Sequence, residues 1–289
     1  MQQNIRQKFF SVLVALVLGL AWLGIVTPAQ AVTGGTGTIS LTGLGIPYTQ
    51  NFDTLASTGT TSTLSIQGWY WNEAGTNQDY SYRVGTGSNT TGDTYSFGAS
   101  GSTERALGTL LSNSLTPMIG AQFTNNTGQT ITTLSITYTG EQWRLGQSRL
   151  SPPDRLDFQL STTAITITAP ITYWVDYDAL DFSSPVVAGT VGALDGNAAA
   201  NRTTLSYTIT GLSIANGASF WIRWVDEDIP NSDDGLAIDD FSLTPNNPTA
   251  VTLSSFSAIP LETGGLGWIF GGLGVAGLML MMRPVVRRE

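Results

Sequence analysis

The sequence predicts an all-β protein, an antiparallel jelly-roll-like β-sandwich, and three observations predict it. The hydrophobic period along the body is two, as in Arg155-Leu156-Asp157-Phe158-Gln159-Leu160, where polar and apolar residues alternate strictly. Runs of this kind are short and are separated by clusters of Gly, Asn, Ser, Thr and Asp, which is turn chemistry. No stretch of the body carries the 3.6-residue period of an amphipathic helix. Strands that bury one face and turn back within ten residues pack as two facing sheets.

From the N-terminus, Arg6 and Lys8 precede an apolar run, Phe9–Val26, and then Pro28-Ala29-Gln30-Ala31. That order is a secretory signal peptide over 1–31 with a small-residue site at Ala29 and Ala31, to be cut by signal peptidase. No cysteine follows it, so a lipid anchor has no attachment point. Strands are expected at Leu64–Trp71, Tyr80–Val84, Thr94–Ala99, Met118–Thr124, Ile131–Tyr138, Arg155–Leu160, Ile171–Tyr177, Leu205–Thr210 and Phe220–Trp224. In the last of these Phe220, Ile222 and Trp224 share one face, and Trp221 and Arg223 the other. In Leu236–Leu243 the apolar Ile238 and Phe241 stand three apart; a β-bulge at Asp239-Asp240 returns both to the core and re-aims one carboxylate. With no internal repeat or break in composition, 32–245 reads as one domain and 246–259 as a polar linker.

The chain closes with Pro260 and Glu262, an uncharged apolar run over 264–282, and the basic stub Arg283, Arg287 and Arg288. At ~1.5 Å per residue that run spans about 28 Å as a helix, close to the ~30 Å bilayer core. Arginines beyond the run stay cytoplasmic. The expected topology is therefore an exported body outside the cytoplasm, anchored in the membrane through its C-terminus.

Between Val32 and Glu262 lie seven arginines, no lysine and twenty acidic residues, a charge of −13. Nucleic-acid binding requires a basic stripe, so no nucleic-acid partner is expected. Cysteine and histidine are both absent, which removes thiol chemistry, the Ser-His-Asp triad and most transition-metal sites. An enzyme would have to work with carboxylates alone, and nothing in the spacing of Glu141, Asp157, Asp226 and Asp228 singles out a catalytic pair. The protein is expected not to be an enzyme.

Seven acidic side chains lie between Asp226 and Asp240. So many carboxylates suit Ca²⁺, which takes six to eight oxygen ligands, although the EF-hand pattern is absent. First and last strands of a sandwich often pair, which would bring Asp53 to Asp239 or Asp240. A structural Ca²⁺ at Asp53, Asp239 and Asp240 is the expected cofactor; a solvated acidic loop is the alternative. A second constellation is Glu141, Trp143 and Arg144, with Trp174, Trp221 and Trp224 further on. Indole faces stack on sugar rings while polar groups bond their hydroxyls, so these residues are candidate contacts for an extracellular polysaccharide. Core tryptophans and structural ion pairs, Glu141 with Arg144 or the Glu104-Arg105 pair with a strand neighbour, are the alternative.

The tail resembles the tripartite sorting signal of the PEP-CTERM class, with Pro260-Leu261-Glu262 in place of Pro-Glu-Pro. That resemblance implies an exosortase-like sorting enzyme as partner, cleavage near Glu262, and release to the cell surface or extracellular matrix. The body is similar to a jelly-roll module that precedes nuclease domains in some secreted bacterial enzymes. The residues that carry this likeness are Asn51–Leu55, Gly92–Gly98, Tyr138–Arg144, Ala193–Asn197 and Asp233–Phe241. The Ala-Ile-Asp-Asp-Phe strand also resembles the closing strand of MAM-like and carbohydrate-binding sandwiches. Two functions stay open, a non-catalytic glycan-binding module with structural Ca²⁺ and a matrix protein without a small ligand, and behind them stands a third, a glycoside hydrolase working with Asp and Glu alone.

Overall fold

The structure, a computed structural model, describes residues 32–148 and 152–247. The signal peptide with Ala29 and Ala31, most of the linker, and the sorting tail with Pro260, Glu262, the 264–282 span, Arg283, Arg287 and Arg288 lie outside the described residues.

The first strands are β1 (Val32–Gly35), β2 (Ile39–Leu41), β3 (Tyr48–Gln50), β4 (Thr61–Ser62), β5 (Trp69–Gly75) and β6 (Tyr82–Gly85). The middle of the chain forms β7 (Asp93–Phe97), β8 (Ala106–Leu110), β9 (Leu115–Asn125), β10 (Thr133–Leu145) and β11 (Arg155–Ser161). Then come β12 (Val175–Asp176), β13 (Phe182–Ser183), β14 (Gly192–Ala193), β15 (Arg202–Ile209), β16 (Ser219–Asp226) and β17 (Gly235–Asn246). They form two sheets. The eight-stranded sheet runs β1-β5-β9-β16-β11-β12, with β2 on β9 and β13 on β11. The nine-stranded sheet runs β14-β10-β17-β8-β7-β6-β4, with β15 on β10 and β3 on β17.

The sandwich is antiparallel except at two pairs, β2 with β9 and β6 with β7, which are parallel. Ile171–Tyr177 is not a strand. Its first part is a single 3-10 turn over Ile171–Tyr173, closed by Trp174 N–H on the Ile171 carbonyl at 2.9 Å, and only Val175–Asp176 pairs with β11. Pro170 at the head of the turn restricts the backbone there, which alternation alone does not register.

Alternation puts Trp69, Trp71, Phe123, Phe158, Phe220, Ile222 and Trp224 of one sheet against Leu134, Ile136, Tyr138, Ile238 and Phe241 of the other. The centre of this core is an edge-to-face aromatic set. Trp224 meets Phe241 at 5.9 Å and 84°, and Tyr138 at 5.3 Å and 81°. Such pairs are worth roughly 0.5–1.5 kcal/mol each beyond the area they bury. Both sheets are also roofed on part of their outer face. Tyr95, Phe97, Ala106, Leu110, Trp143 and Ala237 form a cluster outside the nine-stranded sheet. Ala164, Ile167, Ala169, Trp174 and Trp221 form one outside the eight-stranded sheet.

Candidate metal centre

The bulge in β17 sets the site. β17 pairs with β10 at Thr137↔Ser242 and next at Thr139↔Asp239, so Asp240 and Phe241 together oppose Tyr138 alone. Asp240 takes a left-handed backbone, φ 48°, and is exposed. Ile238 and Phe241 are both fully buried, as the three-residue spacing requires. Asp239 is turned onto the outer face of the sheet, the face that also carries Glu141 two residues beyond its partner Thr139.

Glu104, from the segment leading into β8, completes a triad. One carboxylate oxygen each from Glu104, Glu141 and Asp239 lies within 4.8 Å of the others. Glu141 is 0% exposed and Asp239 5%. Glu104 Oε1, Glu141 Oε1 and Asp239 Oδ1 are buried without a hydrogen-bond donor. The remaining oxygens are partly served: Trp143 Nε1 donates to Glu141 Oε2 at 2.9 Å, and Asn197 Nδ2 donates to Glu104 Oε2. Burial, then the neighbouring acids, pushes the Asp239 carboxyl up to about 9; burial, eased by the Trp143 bond, pushes Glu141 up to about 7. Two oxygens bound to one Ca²⁺ at ~2.4 Å stand at most ~4.8 Å apart, so the triad is of a size to close on that ion.

Asp53 is not in the triad. The strands pair as expected, with Phe241↔Gln50 and Ser242↔Thr49. Directly after β3, however, Phe52 adopts φ 56° and is buried, and this turns Asp53 aside. Its carboxylate accepts from Asn51 Nδ2 at 2.6 Å and from the Arg105 backbone N–H at 3.2 Å. Asp240, exposed at the bulge, is near enough to raise the Glu141 and Asp239 carboxyls but is also outside the triad, so two of the three expected ligands are not grouped with Asp239. Glu104 had no legible role in the sequence beyond an ion pair through its neighbour. Arg105 in fact reaches Ser96 and the Gly85 carbonyl, not a carboxylate.

The expected sugar platform is packed away. Trp143 is 1% exposed, stacked on Phe97 at 6.1 Å and 4°. On Gly196 a Cβ would stand 2.4 Å from the same indole, so the 193–197 segment lies against it. Arg144 donates to the Gly87 carbonyl at 3.1 Å and does not pair with Glu141. Trp224 is in the central core, and Trp221 and Trp174 lie beneath the 164–169 segment. Arg223 lies 3.9 Å over the Trp174 ring and donates to the Ile167 carbonyl at 2.8 Å, pinning that segment down.

A second acidic group, Asp157, Asp176 and Asp181, sits on the eight-stranded sheet. Arg155 serves it, at 2.8 Å from Asp181 and 3.6 Å from Asp157, and also pairs with Glu227 at 2.7 Å. Of the carboxylates suited to glycosidic chemistry, Glu141 points out from one sheet and Asp157 from the other. Asp226 is buried, and Asp228 is exposed. These four do not flank a common cleft.

No protein-family model and no curated protein matches the chain. Among solved structures the chain is similar to TmCBM61 in complex with beta-1,4-galactotriose, at 10% identity over 61% of this chain and 88% of that one, TM-score 0.32. It is also similar to the K3 cleaved adhesin domain of Lys-gingipain from Porphyromonas gingivalis w83, at 11% identity over 60% and 91%, TM-score 0.36. At such values neither likeness bears on ligand or site.

Proposed function

We propose that the chain is an exported, non-catalytic β-sandwich of the cell surface or extracellular matrix, organised by a structural Ca²⁺ at Glu104, Glu141 and Asp239. The observation that carries the metal reading is the set of three buried carboxylate oxygens without donors. A cation there converts three unfavourable burials into ligand bonds and ties β10, β17 and the entry to β8 together. Export and anchoring rest on the N-terminal and C-terminal patterns of the sequence.

Calorimetry of the metal-stripped protein tests the site. Calcium at about one hundred times its dissociation constant adds about 2.7 kcal/mol, a rise of several degrees in Tm for a domain of this size. Glu141→Gln should remove that rise while leaving the metal-free Tm equal or higher. An unchanged Tm on adding calcium to the wild-type protein sinks the reading.

A further inference from the structure

Strands that end a sheet expose a row of backbone donors and acceptors, and folded proteins blunt them with short length, charge, proline or a bulge. Most sheet margins here follow that rule. β1 has four residues, and β4, β12, β13 and β14 have two each. β15 does not. It is eight residues long, lies on the outer side of β10, and keeps unbroken register from Leu134↔Ile209 to Glu141↔Arg202. It contains no proline and no lysine, and its one charge is Arg202 at the end. Thr203, Thr204, Ser206, Tyr207 and Thr208 are exposed.

The direction of its free backbone groups follows from the ladder. Gln142 N–H donates to the Asn201 carbonyl at 2.8 Å, in the same register. Antiparallel bonds recur at every second residue, so Thr203, Leu205 and Tyr207 face β10, and Thr204, Ser206 and Thr208 turn N–H and C=O outward. The hydroxyl contacts agree. Thr137 with Ser206 at 2.8 Å and Ser135 with Thr208 at 3.0 Å are the close side-chain approaches of non-hydrogen-bonded pairs. Among the described residues no backbone hydrogen bond takes up the outward groups.

We propose that β15 is a homodimer seam, pairing antiparallel with β15 of a second copy about a two-fold axis at Ser206. The occupant is read from the strand itself. Thr204-Leu205-Ser206-Tyr207-Thr208 has the same chemistry in both directions: hydroxyl, apolar, hydroxyl, apolar, hydroxyl. Around Ser206, Thr204 meets Thr208 of the second copy, and Leu205 meets its Tyr207. Both pairings are favourable across antiparallel strands. A two-fold contact must be self-complementary in this way. Charge permits it as well. No acidic residue falls between Asp195 and Asp226, although the chain as a whole is at −9. Arg202 and its symmetry mate would lie at opposite ends of the seam.

The chain has no cysteine, so Ser206→Cys introduces its only thiol. In the full chain in detergent, a short bis-maleimide should join Ser206→Cys copies into a covalent dimer. It should not join Thr49→Cys, which is exposed on β3. β3 lies three strands in from β15, so in the proposed dimer two copies of Thr49 would be about 34 Å apart at ~4.8 Å per strand. Ser206→Pro tests the same seam without a thiol. Its N–H points outward, so proline there removes no bond to β10. By sedimentation the dimer constant should weaken at least tenfold while the far-ultraviolet spectrum is kept. Cross-linking of Ser206→Cys no better than that of Thr49→Cys overturns the proposal, whether the chain is then monomeric, associates through its tail, or binds another protein's strand. An unchanged dimer in a folded Ser206→Pro variant overturns it too.

Discussion

The two sheets each carry three carboxylates drawn within 4.8 Å on their outer faces, and the two groups are chemically opposite. On the eight-stranded sheet Arg155 supplies a cation from within the fold, and Gln159 Nε2 adds a bond to Asp157 at 2.5 Å. On the nine-stranded sheet the three oxygens of Glu104, Glu141 and Asp239 have no donor, and Arg202, across from Glu141, acts on it only from beyond ion-pair distance. Counting acids does not distinguish these groups. What separates them is whether the chain carries its own counter-charge. A group that has one is complete as an ion network, and a group that lacks one holds protons or takes a cation from solution.

Removing the internal cation should make the first group behave like the second. Arg155→Met leaves Asp157 and Asp181 beside each other with the Gln159 and Phe158 donors but no counter-ion. Breaking a buried pair costs about 3–5 kcal/mol. Arg155 is itself one-third exposed and solvent screens it, so about 2 kcal/mol is expected here. Urea unfolding in EDTA measures the loss. The sharper outcome is a gained one: the variant should acquire a second, weaker calcium-dependent rise in Tm that survives Glu141→Gln. If Arg155→Met is destabilised and shows no such rise, the contrast between the two groups does not come from the counter-charge.

Asp93 is the intermediate case, and it gives the comparison a pH axis. It has a counter-ion, since Arg83 Nε donates to its Oδ2, yet its Oδ1 is buried without a donor. Burial first, then Glu73, pushes the Asp93 carboxyl up to about 8. Asp226, wholly buried, is pushed up by burial and by Asp154 as well. A carboxyl raised in the folded state holds a proton that the unfolded chain releases near pH 4. The stability it contributes is therefore complete below pH 4 and lost as pH rises through about 8. In EDTA the urea midpoint should fall between pH 6 and 9, by an amount on the order of 1 kcal/mol in stability. A midpoint that rises over that interval would contradict the buried, protonated state of these acids.

Much of the core was legible because alternation reports which residues share a face. Trp224 and Phe158 fall inward as the period demands, and the Ile238–Phe241 spacing disclosed the bulge. Alternation does not report what lies over the outer face. Trp143 and Trp221 alternate outward, as binding residues would, and are buried because the 193–197 and 164–169 segments fold over them. Asp239 was legible as a ligand since it sits on the bulge. Glu104 was not, because it joins the triad through the β8–β17 pairing, a contact between residues more than a hundred positions apart.

The smallest expected effect separates the sequence-derived site from the one in the fold. Asp53 was assigned to the metal because β3 pairs with β17, and that pairing exists. The left-handed turn at Phe52 intervenes, and the Asp53 carboxylate is spent on Asn51 and on the Arg105 N–H. Those bonds are exposed or half-exposed, so Asp53→Ala should cost about 0.5–1.5 kcal/mol, the net worth of a typical intramolecular hydrogen bond. It should leave the calcium-dependent rise in Tm intact. Asp239→Asn should do the reverse, abolishing the rise while leaving metal-free stability equal or higher, because it removes a buried group pushed up to about 9. Calorimetry of the two variants with and without calcium gives a crossed result if the bulge, and not the strand pairing, selects the ligands. Loss of the calcium response in Asp53→Ala would return the site to the first and last strands.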